Sequence, residues 1–434
     1  MKHILFYSFL TVLIASCTTR RSLNEASTFV SVNEQGQLMR NGQPYYYVGT
    51  NFWYGAILGS QGQGGDRQRL HRELDFLKEI GVNNLRVLVG ADGEDGVATR
   101  VQPSLQTAPG IYNDTILDGL DYFLNELHRR DMTAVLYLNN SWEWSGGYSV
   151  YLQWAGHGQA KVPAIDGWPA YMEYVQQYMQ SDSAQALFAH HVQFIVSRTN
   201  RYNQVRYVDD PTIMSWQIGN EPRAFSDANK PAFARWVSQV AAQIKSLDPN
   251  HLVSSGSEGA WGCEGDLQLF EQIHADPNID YLNIHIWPYN WSWVKADSLW
   301  ELLPQAKENT RAYIDEHLAV ASRLNKPLVL EEFGFPRDGF LFTKESTTRA
   351  RDEYYRYVFD LVRQGRDQNT PFAGCNFWAW GGFANQMPDH IYWEPGDDYT
   401  GDPAQEQQGL NSVFASDSST IKVIRNYNHN SIKH

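Results

Sequence analysis

Cysteine is scarce: three residues in a chain of 434, Cys17, Cys263 and Cys375. Two distant thiols in the body of the chain make neither a disulfide framework nor a zinc site, which needs more ligands at short spacing. Both Cys263 and Cys375 read as buried small apolar side chains. Positive charge is also in deficit, with 35 Lys+Arg against 49 Asp+Glu and a net charge of −14, which argues against a nucleic-acid partner held by bulk charge. Beyond the N-terminus no apolar run is long enough to span a bilayer. No G-x-G-x-x-G or G-x-x-x-x-G-K-[ST] follows the first strand-like run, which weakens a nucleotide-binding reading. Internal repeats, low-complexity tracts and interdomain linkers are missing too. What the chain has in surplus is aromatic: 15 Trp and 24 Tyr within a 42% hydrophobic composition. That is ample for a large core, and more Trp than packing alone usually needs.

The N-terminus is set apart from the rest. Lys2 precedes an apolar stretch from Ile4 to Ala15, too short for a membrane span, that ends Ile14-Ala15-Ser16-Cys17. This resembles a bacterial lipoprotein signal. It implies removal of residues 1–16, acylation of Cys17 and a membrane attachment through that lipid alone. Residues 17–30 then read as a tether and 31–434 as one domain. The location implied is the bacterial cell envelope, on its periplasmic or outer face.

From residue 31 on, short runs of β-formers alternate with amphipathic stretches. The runs are Tyr45–Asn51, Asn83–Val89, Thr133–Asn139, Thr212–Ile218, His251–Ser257, Tyr281–Ile286, Pro327–Glu332 and Phe372–Trp378. Helical periodicity marks Asp66–Ile80, Thr115–Arg130, Ser226–Leu247, Glu308–Leu324 and Thr347–Arg366. Strand–helix alternation predicts an α/β fold with a parallel sheet, and eight such runs predict a (β/α)8 TIM barrel with long strand-end loops. The alternative is an open doubly wound sheet.

In a barrel, reactive side chains belong where strands run into the loops that follow them. The fourth run ends Trp216-Gln-Ile-Gly-Asn220-Glu221-Pro222-Arg223, and the seventh ends Leu330-Glu331-Glu332-Phe333-Gly334. Two carboxylates at the ends of opposing strands suit hydrolysis of a glycosidic bond, one protonating the leaving oxygen and the other attacking or activating water. Such chemistry needs neither metal nor cofactor. The spare Trp faces then suit sugar rings.

Six motifs in order make the resemblance specific. They are Tyr47-Val-Gly-Thr-Asn-Phe-Trp53-Tyr54, Leu85-Arg86-Val87, Leu136-Tyr-Leu-Asn139-Asn140-Ser-Trp142-Glu-Trp144-Ser-Gly-Gly147, His285-Ile-Trp287-Pro288, Leu330-Glu-Glu332-Phe-Gly334 and Asn376-Phe-Trp378-Ala-Trp380. With the Asn-Glu-Pro segment they resemble clan A glycoside hydrolases, and family 5, subfamily 7 endo-β-1,4-mannanases in particular, over nearly the whole mature chain. The resemblance implies Glu221 as acid/base and Glu332 as nucleophile of a retaining mechanism. It implies that Arg86 holds the nucleophile ionised, that Asn220 meets the sugar 2-hydroxyl, and that His285 orients the carboxylates. Trp378 becomes a platform under the cleaved sugar, and Asn140 lies near the cleavage site. Trp53, Trp142 and Trp144, with Tyr54, Trp291 and Trp293, are expected to line the cleft, and Arg223 to reach a leaving-group sugar. Glu258 reads as structural or as a hydroxyl acceptor.

Two features depart from a simple pattern. Alternation lets only one of Glu331 and Glu332 face inward. The motif selects Glu332, with Leu328 and Leu330 sharing its face and Glu331 turned to the helices. Asn220 and Glu221 meet the same objection unless the strand bulges or has ended. Second, the family carries Tyr two residues after the sixth-strand His, where this chain has Trp287, which donates but cannot accept. The activity implied is hydrolysis of β-1,4-mannan, glucomannan or galactomannan by a monomeric enzyme. A β-1,4-glucanase, an exo-acting mannan hydrolase and a non-catalytic glycan-binding lipoprotein remain alternatives.

Overall fold

A computed structural model describes residues 29–431. The leader, Cys17 and most of the tether lie outside the described residues. Phe29 and Val30, read from sequence as tether, are packed instead: the Phe29 ring meets His251 edge-on at 5.0 Å, and Val30 is buried.

Eight parallel strands form the frame: β1 (Tyr47–Asn51), β2 (Asn84–Leu88), β3 (Thr133–Tyr137), β4 (Ile213–Gln217), β5 (Leu252–Ser254), β6 (Leu282–Ile286), β7 (Leu328–Phe333) and β8 (Phe372–Phe377). Their pairing order is β5-β4-β3-β2-β1-β8-β7-β6, a (β/α)8 barrel with one open seam. Every residue of these strands is buried, as expected where helices cover the outside and side chains fill the inside. At the seam, loop and side-chain bonds stand in for the ladder. Asp280 N–H donates to the Val253 carbonyl, Gly256 N–H to Asn283 Oδ1, and His285 N–H to the Glu258 carbonyl, at 2.8, 2.8 and 3.3 Å. The sequence placed all eight strands.

The outer helices include α1 (Arg67–Glu79), α2 (Asp114–His128), α3 (Asp182–Val196), α4 (Lys230–Leu247), α5 (Leu267–His274), α6 (Leu303–Leu324), α7 (Arg349–Asp367) and α8 (Ser418–Ser431). Side-chain caps start several of them: Asp66, Asn113, Ser181 and Asp266 each accept a first-turn backbone N–H. A small antiparallel sheet (Ser31–Val32, Leu38–Arg40, Gln43–Pro44) precedes the barrel. Val30, Leu38 and Tyr45 join Tyr47, Val135, Met214, Leu252, Tyr281, Val329 and Ala373 in one apolar cluster that plugs the barrel's N-terminal end. The other end is left to polar side chains. Cys263 and Cys375 are free and buried.

Three bulges decide what faces inward. One extra residue sits opposite the β3/β4, β6/β7 and β7/β8 pairings, at Met214, Glu331 and Ala373. Each bulge resets the alternation of its strand.

Candidate active site

The site grows from β2. Arg86 is fully buried, and a guanidinium removed from water costs several kcal/mol unless it is paired and hydrogen-bonded. The barrel supplies both. Nη1 contacts Glu332 Oε1 and donates to Asn51 Oδ1 at 3.1 Å; Nε donates to Gln217 Oε1 at 2.8 Å; Nη2 donates to Asn220 Oδ1 at 2.9 Å. The guanidinium also lies over the Tyr137 ring, 4.4 Å from its centroid.

Glu332 ends β7. The bulge changes the reading of its neighbour: Glu331, expected to face the helices, is inside the barrel. Gln217 Nε2 donates to Glu331 Oε2, Tyr281 donates to Oε1 at 3.0 Å, and Arg86 Nε lies 3.8 Å away. Leu328 and Leu330, expected inside, pack outward in the large core between sheet and helices. Glu331 and Glu332 face the same interior because the extra residue lets two successive side chains point one way.

Glu221 solves the same problem differently. β4 stops at Gln217, and Asn220 makes only an isolated bridge to Asn140. Glu221 then adopts a left-handed backbone, φ 51°, unusual for a residue with a side chain, while its N–H donates to the Gly256 carbonyl at 3.0 Å. Its carboxyl is held between two donors: Trp142 Nε1 to Oε2 at 2.6 Å and His285 Nδ1 to Oε1 at 2.8 Å. His285 Nδ1 is also 3.4 Å from Glu332 Oε2, and the Trp287 indole N–H donates to that same oxygen at 3.2 Å. Trp287, where the sequence resemblance expects Tyr, therefore reaches Glu332.

One ligand-type atom each of Glu221, His285 and Glu332 lie within 4.8 Å of one another, the one such grouping among the described residues. Three such ligands suit a metal, yet Arg86 already places a fixed positive charge on Glu332. Burial raises the carboxyl of Glu221, opposed by Arg223 and the Trp142 N–H. It also raises Glu332, opposed by Arg86 and reinforced by the charge of Glu221. Burial, with Arg86 beside it, pushes His285 well below its ordinary range, so the ring is neutral. Nδ1 faces carboxyl oxygens of both Glu221 and Glu332, at 2.8 and 3.4 Å, and such acceptors favour the single hydrogen on Nδ1.

Glu221 and Glu332 line a cavity of about 440 Å³, a size suited to a small ligand. Trp142, Trp144, Asn220, Arg223, Trp287 and Trp378 all line it. Trp378 meets Trp144 and Trp287 edge-on, at 6.5 and 5.8 Å, and its own N–H has no protein partner. Arg223 ion-pairs with Glu258, which also lines the cavity, and lies over the Trp142 ring at 5.2 Å. Three expected lining residues are elsewhere; one of them, Trp293, meets Trp291 edge-on at 5.1 Å and does not reach the cavity. Trp53 is buried behind Trp144, its N–H donating to the Gly401 carbonyl at 2.8 Å. Tyr54 is likewise buried, its hydroxyl on the Trp380 carbonyl. Asn140 is an internal brace: Oδ1 accepts from the Trp142 backbone N–H and from Asn220 Nδ2, and Nδ2 donates to Ser145 Oγ.

Sequence reading missed Gln217, which links Arg86 to Glu331. It also missed Glu143 and Glu406 on the cavity wall, where burial lifts their carboxyls to about 7 and about 8. Gln217 was within reach, as the last strand residue before the Gly-Asn-Glu segment. Pro403, Gln405 and Glu406 belong to the long stretch after β8, on the barrel face where strand-end loops gather.

Comparison with known proteins identifies the family. The family profile described as GH family 5 beta-mannosidase-like matches residues 27–434. A putative mannan endo-1,4-beta-mannosidase 9 of Oryza sativa subsp. japonica is 30% identical over 348 residues, covering 78% of each chain. A glycoside hydrolase family 5 mannosidase of Rhizomucor miehei superposes with a TM-score of 0.84 at 34% identity, covering 94% of this chain and 98% of that one. A variant of that protein has been solved in complex with mannosyl-fructose. An endo-1,4-beta-D-mannanase of Thermotoga petrophila shares the fold, with a TM-score of 0.67 at 22% identity over 89% of this chain and 99% of that one. The chain is a glycoside hydrolase and belongs to family 5, in its β-mannosidase-like group.

Proposed function

We propose that the protein hydrolyses β-1,4-mannosidic bonds of mannan, glucomannan or galactomannan with retention of anomeric configuration. One observation carries the mechanism: an oxygen of Glu221 and an oxygen of Glu332 approach within 4.8 Å. Carboxyl pairs about 5–5.5 Å apart accompany retention, whereas inversion needs roughly 6.5–9.5 Å to admit a water. The pair holds one proton and one negative charge. The charge rests on Glu332, which touches Arg86; the proton rests on Glu221. Glu332 attacks the anomeric carbon as Glu221 protonates the departing oxygen, so the glycosidic C–O bond breaks as the ester bond to Glu332 forms. Glu221, now ionised, takes a proton from water, whose oxygen displaces Glu332. Trp287 and His285 orient the two carboxyls, and Asn220 keeps one amide hydrogen for a sugar hydroxyl.

The sequence points to cleavage inside the polymer. A second reading, release of terminal sugars, is supported by the Pro403–Glu406 wall at the cavity and by the 34% identity to a mannosidase. Attachment at Cys17 to the cell envelope and a monomeric state complete the proposal. Products from linear mannohexaose test it. Oligosaccharides of several lengths appearing together indicate internal cleavage, and mannose appearing first indicates terminal cleavage. Failure to cut mannohexaose while cutting cellohexaose would overturn the substrate.

A further inference from the structure

Trp261 is 46% exposed, yet its loop, which follows β5, is fixed. Gly259 N–H donates to Ser257 Oγ at 3.0 Å, Ala260 N–H to His317 Nε2 at 2.9 Å, and Trp261 N–H to the Tyr313 hydroxyl at 3.2 Å. Three successive amides are thus tied down to present one large apolar ring to solvent. Packing gives no reason to expose it. The ring stacks on Trp291, 5.2 Å between centroids and tilted 25°, and Trp291 itself lines the catalytic cavity. Two indoles therefore lead in one step from the cavity to the surface.

The side of the cavity is also fixed. The Tyr313 hydroxyl that accepts from Trp261 donates to the Glu258 carbonyl at 2.7 Å, and the Glu258 carboxylate pairs with Arg223, two residues after the acid Glu221. The acid stands beside the leaving oxygen. The Trp291–Trp261 pair is thus tied to the acid's side of the site.

We propose that Trp291 and Trp261 form an outer platform for the leaving-group portion of a β-1,4-linked oligosaccharide, on which sugar rings beyond those in the cavity lie face-on. The assignment rests on the glycosidase reading above and adds where the departing chain runs. Because the backbone is already ordered, little entropy is lost on binding.

The test compares wild type, Trp261→Ala and Trp261→Phe on an aryl β-mannoside and on β-1,4-manno-oligosaccharides from mannobiose to mannohexaose, with cello-oligosaccharides in parallel. Binding of the hexaoses is measured on the same proteins in a Glu332→Gln background. For Trp261→Ala, kcat/KM on the aryl mannoside and the disaccharide stays within about twofold. On the longest substrates it falls about tenfold, and hexaose Kd rises by a similar factor. Trp261→Phe keeps most of both. An equal loss at every length, or an unchanged hexaose Kd, would overturn the platform. Length-dependent loss confined to the cello series would keep the platform and overturn mannan as substrate.

Discussion

Glu331 and Glu332 are neighbours in the chain, yet both carboxyls lie inside the barrel, because β7 carries an extra residue opposite β6. Their surroundings divide the labour. Glu332 faces the cavity and touches Arg86, while Glu331 is enclosed by Gln217 and Tyr281 beneath it.

Replacing Glu332 by Gln is therefore expected to abolish turnover, because the amide cannot attack the anomeric carbon. Glu331→Gln exchanges a carboxylate oxygen for an amide in a closed hydrogen-bond set, which costs about 1–3 kcal/mol of stability and leaves measurable turnover. Thermal denaturation and kcat on mannan check the pair. Swapped effects would show that the nucleophile is misassigned.

Glu221→Ala removes the proton donor. Activity on mannan falls by several orders of magnitude, while a dinitrophenyl mannoside, whose leaving group needs no proton, loses much less in the first step. Equal losses on both substrates would contradict the acid role.

Trp287 donates to Glu332, and a donor favours the ionised form of a carboxylate. Trp287→Phe removes that donor, so the Glu332 pKa rises. Since Glu332 must be ionised to attack, the acid limb of kcat/KM against pH moves upward, by up to about one unit. A limb that stays in place would mean that the indole only packs against Trp378.

The wall after β8 depends on Asp402, which accepts from the backbone N–H groups of Gly409, Asn411 and Ser412 at 2.8, 3.0 and 3.1 Å. Asp402→Ala takes the acceptor from these three amides and from the Ser412 hydroxyl. It is expected to lower the melting temperature and to shift products from linear mannohexaose towards longer fragments as the wall at Pro403–Glu406 loosens. The product chromatogram, read at matched extent of reaction, decides; an unchanged distribution would detach the wall from the mode of cleavage.

What could be read from sequence follows from which interactions are local. All eight barrel strands were visible, because strands covered on both faces must be runs of β-formers. Asp182–Val196 was overlooked although Ser181 signals its start, since the aromatic segment before it blurs the helical period. The bulges at Met214, Glu331 and Ala373 were not visible, since a bulge is a relation between two strands. The same limit explains Trp53 and Asn140. Sequence placed both at strand ends, but only the packing of Trp144 and Asn220 against them shows that they support the cavity from behind.

The central claim is that the ester forms on Glu332 and that the sugar is mannose. Treating the active enzyme with 2-deoxy-2-fluoro-β-mannosyl fluoride tests both at once, because the fluorine slows hydrolysis of the ester more than its formation. Intact-mass spectrometry should show one added fluoromannosyl group, and peptide mapping should place it on Glu332. Labelling at Glu331 or Glu221, or no adduct on an enzyme that still turns over mannan, would contradict the account.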